Sequence, residues 1–304
     1  MPRMRAGLIG AGLAVALATS LTACGSSTSS RGPGVRVVAA ENFWGSIAGQ
    51  LAGGKASVQS IVVDPNQDPH DYEPTPADAR AFATAQLAIV NGIGYDGWAS
   101  RVLAADPASG RTVLNVGELL GLAEGENPHR WYDPANVEAV ANAIGAALGR
   151  ADPRDAAAFA RRRRVFESRG LAAYRRLIAQ IRARYAGVAV GASESIFALQ
   201  APALGLRLIT PPRFMKAIGE GADVSAADTA TVERQISEHR IKVWVYNAQN
   251  ATPAIQRLNA LARAERIPVA TVTETLTPAT ASFQQWQAGQ LERLRRALAQ
   301  ATGR

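Results

Sequence analysis

The stretch 153–185 holds one glycine, Gly170, and no proline after Pro153. It is dense in alanine and arginine, residues that lose little on entering a helix. At 1.5 Å per residue such a helix extends about 45 Å or more, longer than one small domain needs. The spacing therefore predicts a rigid helical connector between two lobes, and the chain on either side repeats one pattern. Before it, short apolar runs at 35–40 (VRVVAA), 57–63, 86–91 (QLAIVN) and 111–116 read as strands. Helical spacing falls between them at 41–51, at 75–84 and beyond Trp98, and again from Asp133-Pro134 to about Gly149. After the connector, strands are predicted at 187–192, 206–210, 242–246 and 268–273. Helices are expected after Ser195 and over 226–239, 252–264 and 280–301. Alternating strands and helices fold as mostly parallel sheets flanked by helices. The expected class is α/β with two such lobes, 35–150 and 187–304, joined by residues 151–186. In these folds ligand groups collect on loops at the carboxyl ends of strands.

The N-terminus is a targeting segment. Arg3 and Arg5 precede an apolar run, 6–20, too short to span a bilayer comfortably. Leu21-Thr22-Ala23-Cys24 follows, then Gly25. This pattern resembles a bacterial lipobox, which makes 1–23 a signal peptide and Cys24 the lipidated first residue of the mature chain. Cys24 is the only cysteine, so neither a disulfide nor a thiolate metal site is available. Residues 24–34 read as a lipidated Ser/Gly tether, and the protein is expected outside the cell membrane, held to it by lipid.

About 280 residues remain, more than one compact core usually serves. The formal charge is +8, falling to +6 when Arg3 and Arg5 leave with the signal peptide. A basic chain raises the question of nucleic acid. The one dense run, Arg161 to Arg164, has no aromatic side chains interleaved for base stacking. It reads as a solvated helix face, with contact to anionic lipid headgroups as a second possibility; nucleic acid is not expected.

The chemistry gathers in two proline-framed loops. Asp68-Pro69-His70-Asp71-Tyr72-Glu73-Pro74 and Asn127-Pro128-His129-Arg130-Trp131-Tyr132-Asp133-Pro134 carry two of the three histidines. Proline fixes its own φ and pushes the preceding residue toward extended backbone, so both imidazoles sit on stiff, non-helical chain. Imidazole is the commonest metal ligand, and two such contexts in a histidine-poor chain suggest a metal site. Glu194 and Glu274 each end a predicted strand in the second lobe, as His70 follows one in the first. Asp71, Glu73 and Asp133 are expected to stiffen the loops or accept imidazole N–H groups. His239, flanked by charge, is expected on the surface.

These residues resemble the solute-binding lipoprotein of metal-ion ABC transporters, the zinc- or manganese-binding cluster. The likeness runs through the lipobox, DPHDYEPTPAD at 68–78, NGIGYDGW at 91–98 and NPHRWYDP at 127–134. It continues through SESIFALQAPALGL at 193–206 and IPVATVTETL at 267–276. The resemblance implies four metal ligands from the two lobes: His70, His129, Glu194 and Glu274. Glu194 stands where zinc-type members have histidine, and Glu274 where the family usually has aspartate. It further implies manganese or zinc as transported ligand, an ABC permease as membrane partner and a monomeric receptor that is not an enzyme. Two other classes are compatible with parts of the chain. A metallohydrolase could use two histidines and a carboxylate with an open position, but it needs a general base besides its ligands, and no HExxH or Gly-x-Ser-x-Gly occurs. A surface adhesin would explain the anchor and leave the paired Pro-His loops unexplained.

Overall fold

Two four-stranded parallel sheets carry the molecule, with strand orders that match position for position. The computed structural model describes residues 34–66 and 69–304. The leader, Cys24, most of the tether and Asp68 lie outside the described residues. The first half is built from β1 (Val35–Glu41), α1 (Asn42–Ala52), β2 (Ala56–Val62), α2 (Pro76–Thr84), β3 (Leu87–Val90), α3 (Gly97–Ala105), β4 (Thr112–Asn115) and the short α4 (Val116–Leu119). Then come α5 (Pro134–Ala151), α6 (Ala156–Val165) and α7 (Ala172–Tyr185). The second half follows as β5 (Ala189–Ala192), β6 (Arg207–Leu208), α8 (Pro212–Gly219), α9 (Ala226–Ser237), β7 (Val243–Asn247), α10 (Pro253–Ala264), β8 (Val269–Val272) and α11 (Phe283–Thr302).

The sheets run β2-β1-β3-β4 and β6-β5-β7-β8. All pairings are parallel, as crossover helices require. The central strands are buried nearly end to end, which is why they read as continuous apolar runs rather than alternating ones. Helix α2 begins where its capping signals lie: Thr75 and Asp78 form a reciprocal capping box and Pro76 opens the first turn.

The connector is helical from Ala156 to Tyr185 but is not a uniform α-helix. Between α6 and α7 the backbone takes a π turn, Phe166–Gly170, where the Leu171 N–H reaches back to the Phe166 carbonyl at 2.9 Å. Phe166 is buried there, and a Cβ on Gly170 would come within 3.2 Å of its ring. Helix α6 packs on α1 and α5, whereas α7 packs on α11. Helix α11 adds a second tie between the halves. Its Phe283 N–H donates to Ser46 Oγ at 2.9 Å, and the Gln50 and Gln284 amides pair reciprocally at 3.1 and 2.7 Å. One hydrophobic cluster runs through both halves, and residues 33–304 form one compact unit.

Two local expectations change. The helix expected after Ser195 is a single 3-10 turn, Ser195–Leu199. Conversely, α8 falls between the 206–210 strand and the 226–239 helix, where the sequence pattern predicts no element. Its signal is Pro212 in the first turn, and its Gly219 lies where a Cβ would sit 3.5 Å from the Glu194 side chain.

Candidate metal centre

Because every strand is parallel, the carboxyl ends of each sheet lie on one edge, and the two edges face each other. His70 sits on the 3-10 turn Pro69–Asp71 that follows β2. His129 precedes the 3-10 turn Arg130–Tyr132 and the N-cap of α5, where Asp133 accepts from the Ala135 and Asn136 N–H groups. Glu194 follows β5 in extended backbone, and Glu274 follows β8. The structure brings these four expected residues together. The His70 Nε2 lies 3.4 Å from Glu274 Oε2; the His129 Nε2 lies 3.7 Å from Glu194 Oε1 and 3.8 Å from Glu274 Oε2. Donor atoms of His70, His129 and Glu274 all fall within 4.8 Å of one another. Ligands about 2.1 Å from a tetrahedral metal are themselves separated by about 3.4 Å, so the spacing suits a shared cation.

The environment sets the protonation states. His129 is 1% exposed and both glutamates are 0% exposed. Burial, reinforced by the charges of His70 and Arg130, holds the His129 imidazole well below its usual pKa, in the neutral form that ligates metals. Its Nδ1 faces Asn127 Oδ1 at 2.8 Å, and that oxygen also accepts from the His129 N–H at 3.1 Å. The Asn127 amide NH2 is turned the other way, donating to the Ser195 carbonyl at 2.7 Å. Asn127 Oδ1 is thus the acceptor, Nδ1 carries the proton, and the Nε2 lone pair points at the carboxylates. That Nε2 is buried and makes no hydrogen bond.

The two carboxylates are served by neutral donors, one of which bridges them. Asn247 Nδ2 donates to Glu194 Oε1 and Oε2 at 3.1 and 3.0 Å and to Glu274 Oε1 at 2.8 Å. Tyr95 Oη donates to Glu274 Oε2 at 2.7 Å across the two halves. The backbone at 273–275 is pinned as well: Gln249 Oε1 accepts from the Glu274 and Thr275 N–H groups at 2.6 and 2.9 Å, and Gln290 Oε1 from the Thr273 N–H at 2.7 Å. Sequence reasoning missed Asn127, Asn247 and Tyr95. Asn247 had a readable signal, since it ends β7 beside β5 and β8, the strands that deliver Glu194 and Glu274.

Tyr95 lies in a tight loop whose Gly92 and Gly94 take φ of 71° and 80°, a region glycine enters without strain. Asp96 closes that loop by accepting from the Asn91 and Gly92 N–H groups at 2.6 and 2.8 Å. Asn91 then donates to the Pro128 carbonyl at 3.0 Å, which positions the His129 loop.

Of the carboxylates expected to stiffen the loops or accept imidazole N–H groups, Asp133 caps α5, and Asp71 and Glu73 are exposed. His239 is exposed just past α9, with Glu265 at 3.4 Å, and is not among the clustered side chains. A cavity of about 430 Å³ opens onto His70, lined also by Tyr95, Asn127, Ser195, Met215 and Lys216.

A family model described as zinc-uptake complex component A, periplasmic (ZnuA), matches residues 37–297. The chain belongs to this family. Among relatives, it is 30% identical over 131 residues to the manganese-binding lipoprotein MntA of Halalkalibacterium halodurans, covering 41% of this chain and 43% of that one. It is 32% identical over 177 residues to the manganese ABC transporter substrate-binding lipoprotein PsaA of Streptococcus pneumoniae, covering 53% and 54%. The chain thus spans about half the length of the relatives it matches. In fold it is similar to a manganese-bound variant of a periplasmic metal-binding protein from Candidatus Liberibacter asiaticus, with TM-score 0.74 and 18% identity. That superposition covers 87% of this chain and 99% of the other.

Proposed function

We propose that this ZnuA-family protein is the extracytoplasmic receptor of an ABC transporter, which captures a divalent transition metal and passes it to a membrane permease. The ligands proposed are His70 and His129 from one lobe, 35–150, and Glu194 and Glu274 from the other, 187–304, with 151–186 as connector. The observation that carries the reading is a pair of fully buried carboxylates facing the unprotonated nitrogen of a neutral imidazole. Buried carboxylates stay ionised only beside compensating charge, and a dication bound by two of them makes the cluster neutral. Four ligands drawn from both lobes close the coordination shell, which favours capture and release over turnover, so the protein is proposed as a monomeric receptor and not an enzyme.

Manganese is the proposed cargo. Carboxylate oxygen suits manganese, imidazole suits zinc equally or better, and zinc should bind at least as tightly in the test tube. Glu194 in place of a third imidazole tilts the donor set toward oxygen, and the relatives MntA and PsaA are named for manganese. Elemental analysis of protein purified without chelator, followed by manganese–zinc competition, tests capture; uptake of each ion in a deletion strain tests the cargo. Unchanged manganese uptake with growth failing only under zinc limitation would overturn the manganese assignment. Lipid anchoring through Cys24 is tested separately. Cys24→Ala is expected to leave the membrane fraction with metal binding intact, and retention there would refute the anchor.

A further inference from the structure

The charge of this chain is concentrated in one element. Residues 156–185 carry nine arginines against one glutamate, a surplus of eight, whereas the chain without 1–23 carries +6. Everything outside that stretch is therefore slightly acidic, at −2. Arg163 and Arg175 spend their charge locally on Glu167 at 2.8 Å and Glu138 at 2.6 Å. Arg161, Arg162, Arg164, Arg169, Arg176 and Arg184 are exposed, and among the described residues none of these six forms an ion pair. A row of cations without counter-charges is held at a cost in self-repulsion and marks a surface for a polyanion.

Two further observations say which polyanion. The first is where the chain enters. Gly34 lies against Lys55, close enough that a Cβ on it would sit 2.6 Å from the Lys55 carbonyl oxygen. The Lys55 ammonium pairs at 2.6 Å with Asp155, the N-cap of α6. The tether therefore joins the protein beside the first turn of the arginine helix. Gly34 lies ten Cα–Cα steps after Cys24, at most about 35 Å of extended chain.

The second observation is the character of the surface. Arg161 and Arg162 wall a cleft of about 580 Å³ between α6 and the C-terminal end of α1, with Arg162 lying over Gly53. Val165, one of the few exposed large hydrophobic side chains among the described residues, lines the same cleft at 47% exposure. Arginine beside an exposed apolar side chain fits the boundary of headgroup and acyl chain better than a fully hydrated polyanion.

We propose that the arginine face of α6 and α7 docks on the phosphate headgroups of the anionic bilayer to which the protein is tethered. No residue of 156–185 lines the cavity that opens onto His70, so a docked molecule keeps its cargo cleft accessible. The inference rests on the membrane-anchored reading above, but its test does not use the anchor. Residues 33–304 hold both sheets and the whole core in one compact unit, so the test protein is this ectodomain without leader or Cys24. Co-sedimentation with phosphatidylglycerol–phosphatidylcholine vesicles, one part to two, should show binding that weakens as salt rises. Vesicles of phosphatidylcholine alone should bind none. The variant R161Q/R162Q/R164Q/R169Q should lose up to roughly a thousand-fold in partition, with metal binding unchanged. R176Q/R184Q, farther from the tether, should lose less, and R257Q/R263Q/R266Q on and beyond α10 should lose nothing. Equal binding to both vesicle types, full retention by the four-site variant, or equal loss in the α10 control would overturn the proposal. So would binding to soluble polyphosphate without binding to vesicles.

Discussion

At the scale of single residues, the centre divides into groups that would touch the metal and groups that hold those in place. His129→Ala removes a donor nitrogen from a buried cluster and should weaken metal binding tens-fold or more, since even outer partners of ligands are worth about 10 to 100-fold. His239→Ala, at an exposed position, should leave affinity unchanged. Titration against a competing chelator measures both, and equal affinity for wild type and His129→Ala would remove His129 from the ligand set. Asn247 belongs to the second group. One amide nitrogen serves three carboxylate oxygens in a place water does not reach. Asn247→Leu should therefore lower the stability of the metal-free protein by about 3 kcal/mol, the scale for stripping a hydrogen bond from a buried charge. Saturating metal should restore part of that loss by neutralising the same oxygens. Denaturant unfolding with and without manganese distinguishes this from simple loss of packing, which would cost the same in both.

At the scale of elements, the strands and their ends were legible, because parallel strands buried on both faces are continuous apolar runs and their carboxyl ends are where the side chains for chemistry appear. His70, His129, Glu194 and Glu274 could be singled out on that ground together with the family likeness. What could not be read was set by tertiary packing: Tyr95 reaching Glu274, and the π turn that seats Phe166. Helix α8 escaped because its apolar stripe is short and lies in a Gly/Pro-rich stretch. Glu41, at the end of β1, is a further case. It reads as the start of a helix, yet both of its carboxyl oxygens are buried, with the Asp96 carboxyl beside them. Burial, and then the negative charge of Asp96, push its pKa well above the usual carboxylate range. A raised folded-state pKa contributes stability below the unfolded value of 4.5, and this is lost as pH rises through the folded value. Glu41→Gln should therefore match wild type below pH 4.5 and exceed it in stability at neutral pH. Unfolding midpoints across that range test the sign; a variant less stable at neutral pH would show that Glu41 is ionised and held by partners.

At the scale of the whole molecule, the question is how far the two sheets would move on metal binding. The connector packs on α1 and α5 at one end and on α11 at the other, so it is clamped along its length rather than free to swing. Buried polar contacts fasten the halves directly. Tyr132 Oη donates to the Thr273 carbonyl and Gln290 Oε1 at 2.8 and 3.0 Å, and the Leu276 N–H donates to Asn42 Oδ1 at 3.2 Å. Opening the cleft widely would strand these groups inside a core that runs through both halves, each at a cost of about 1 to 3 kcal/mol. The difference in affinity between open and closed states is all the metal can supply to drive such a change. Binding is thus expected to reorder the His70 turn and its neighbours while the lobes stay in place. X-ray scattering of the metal-free and manganese-loaded protein should give nearly superposable curves, and a marked contraction in radius of gyration would mean that the clamp described here opens in solution.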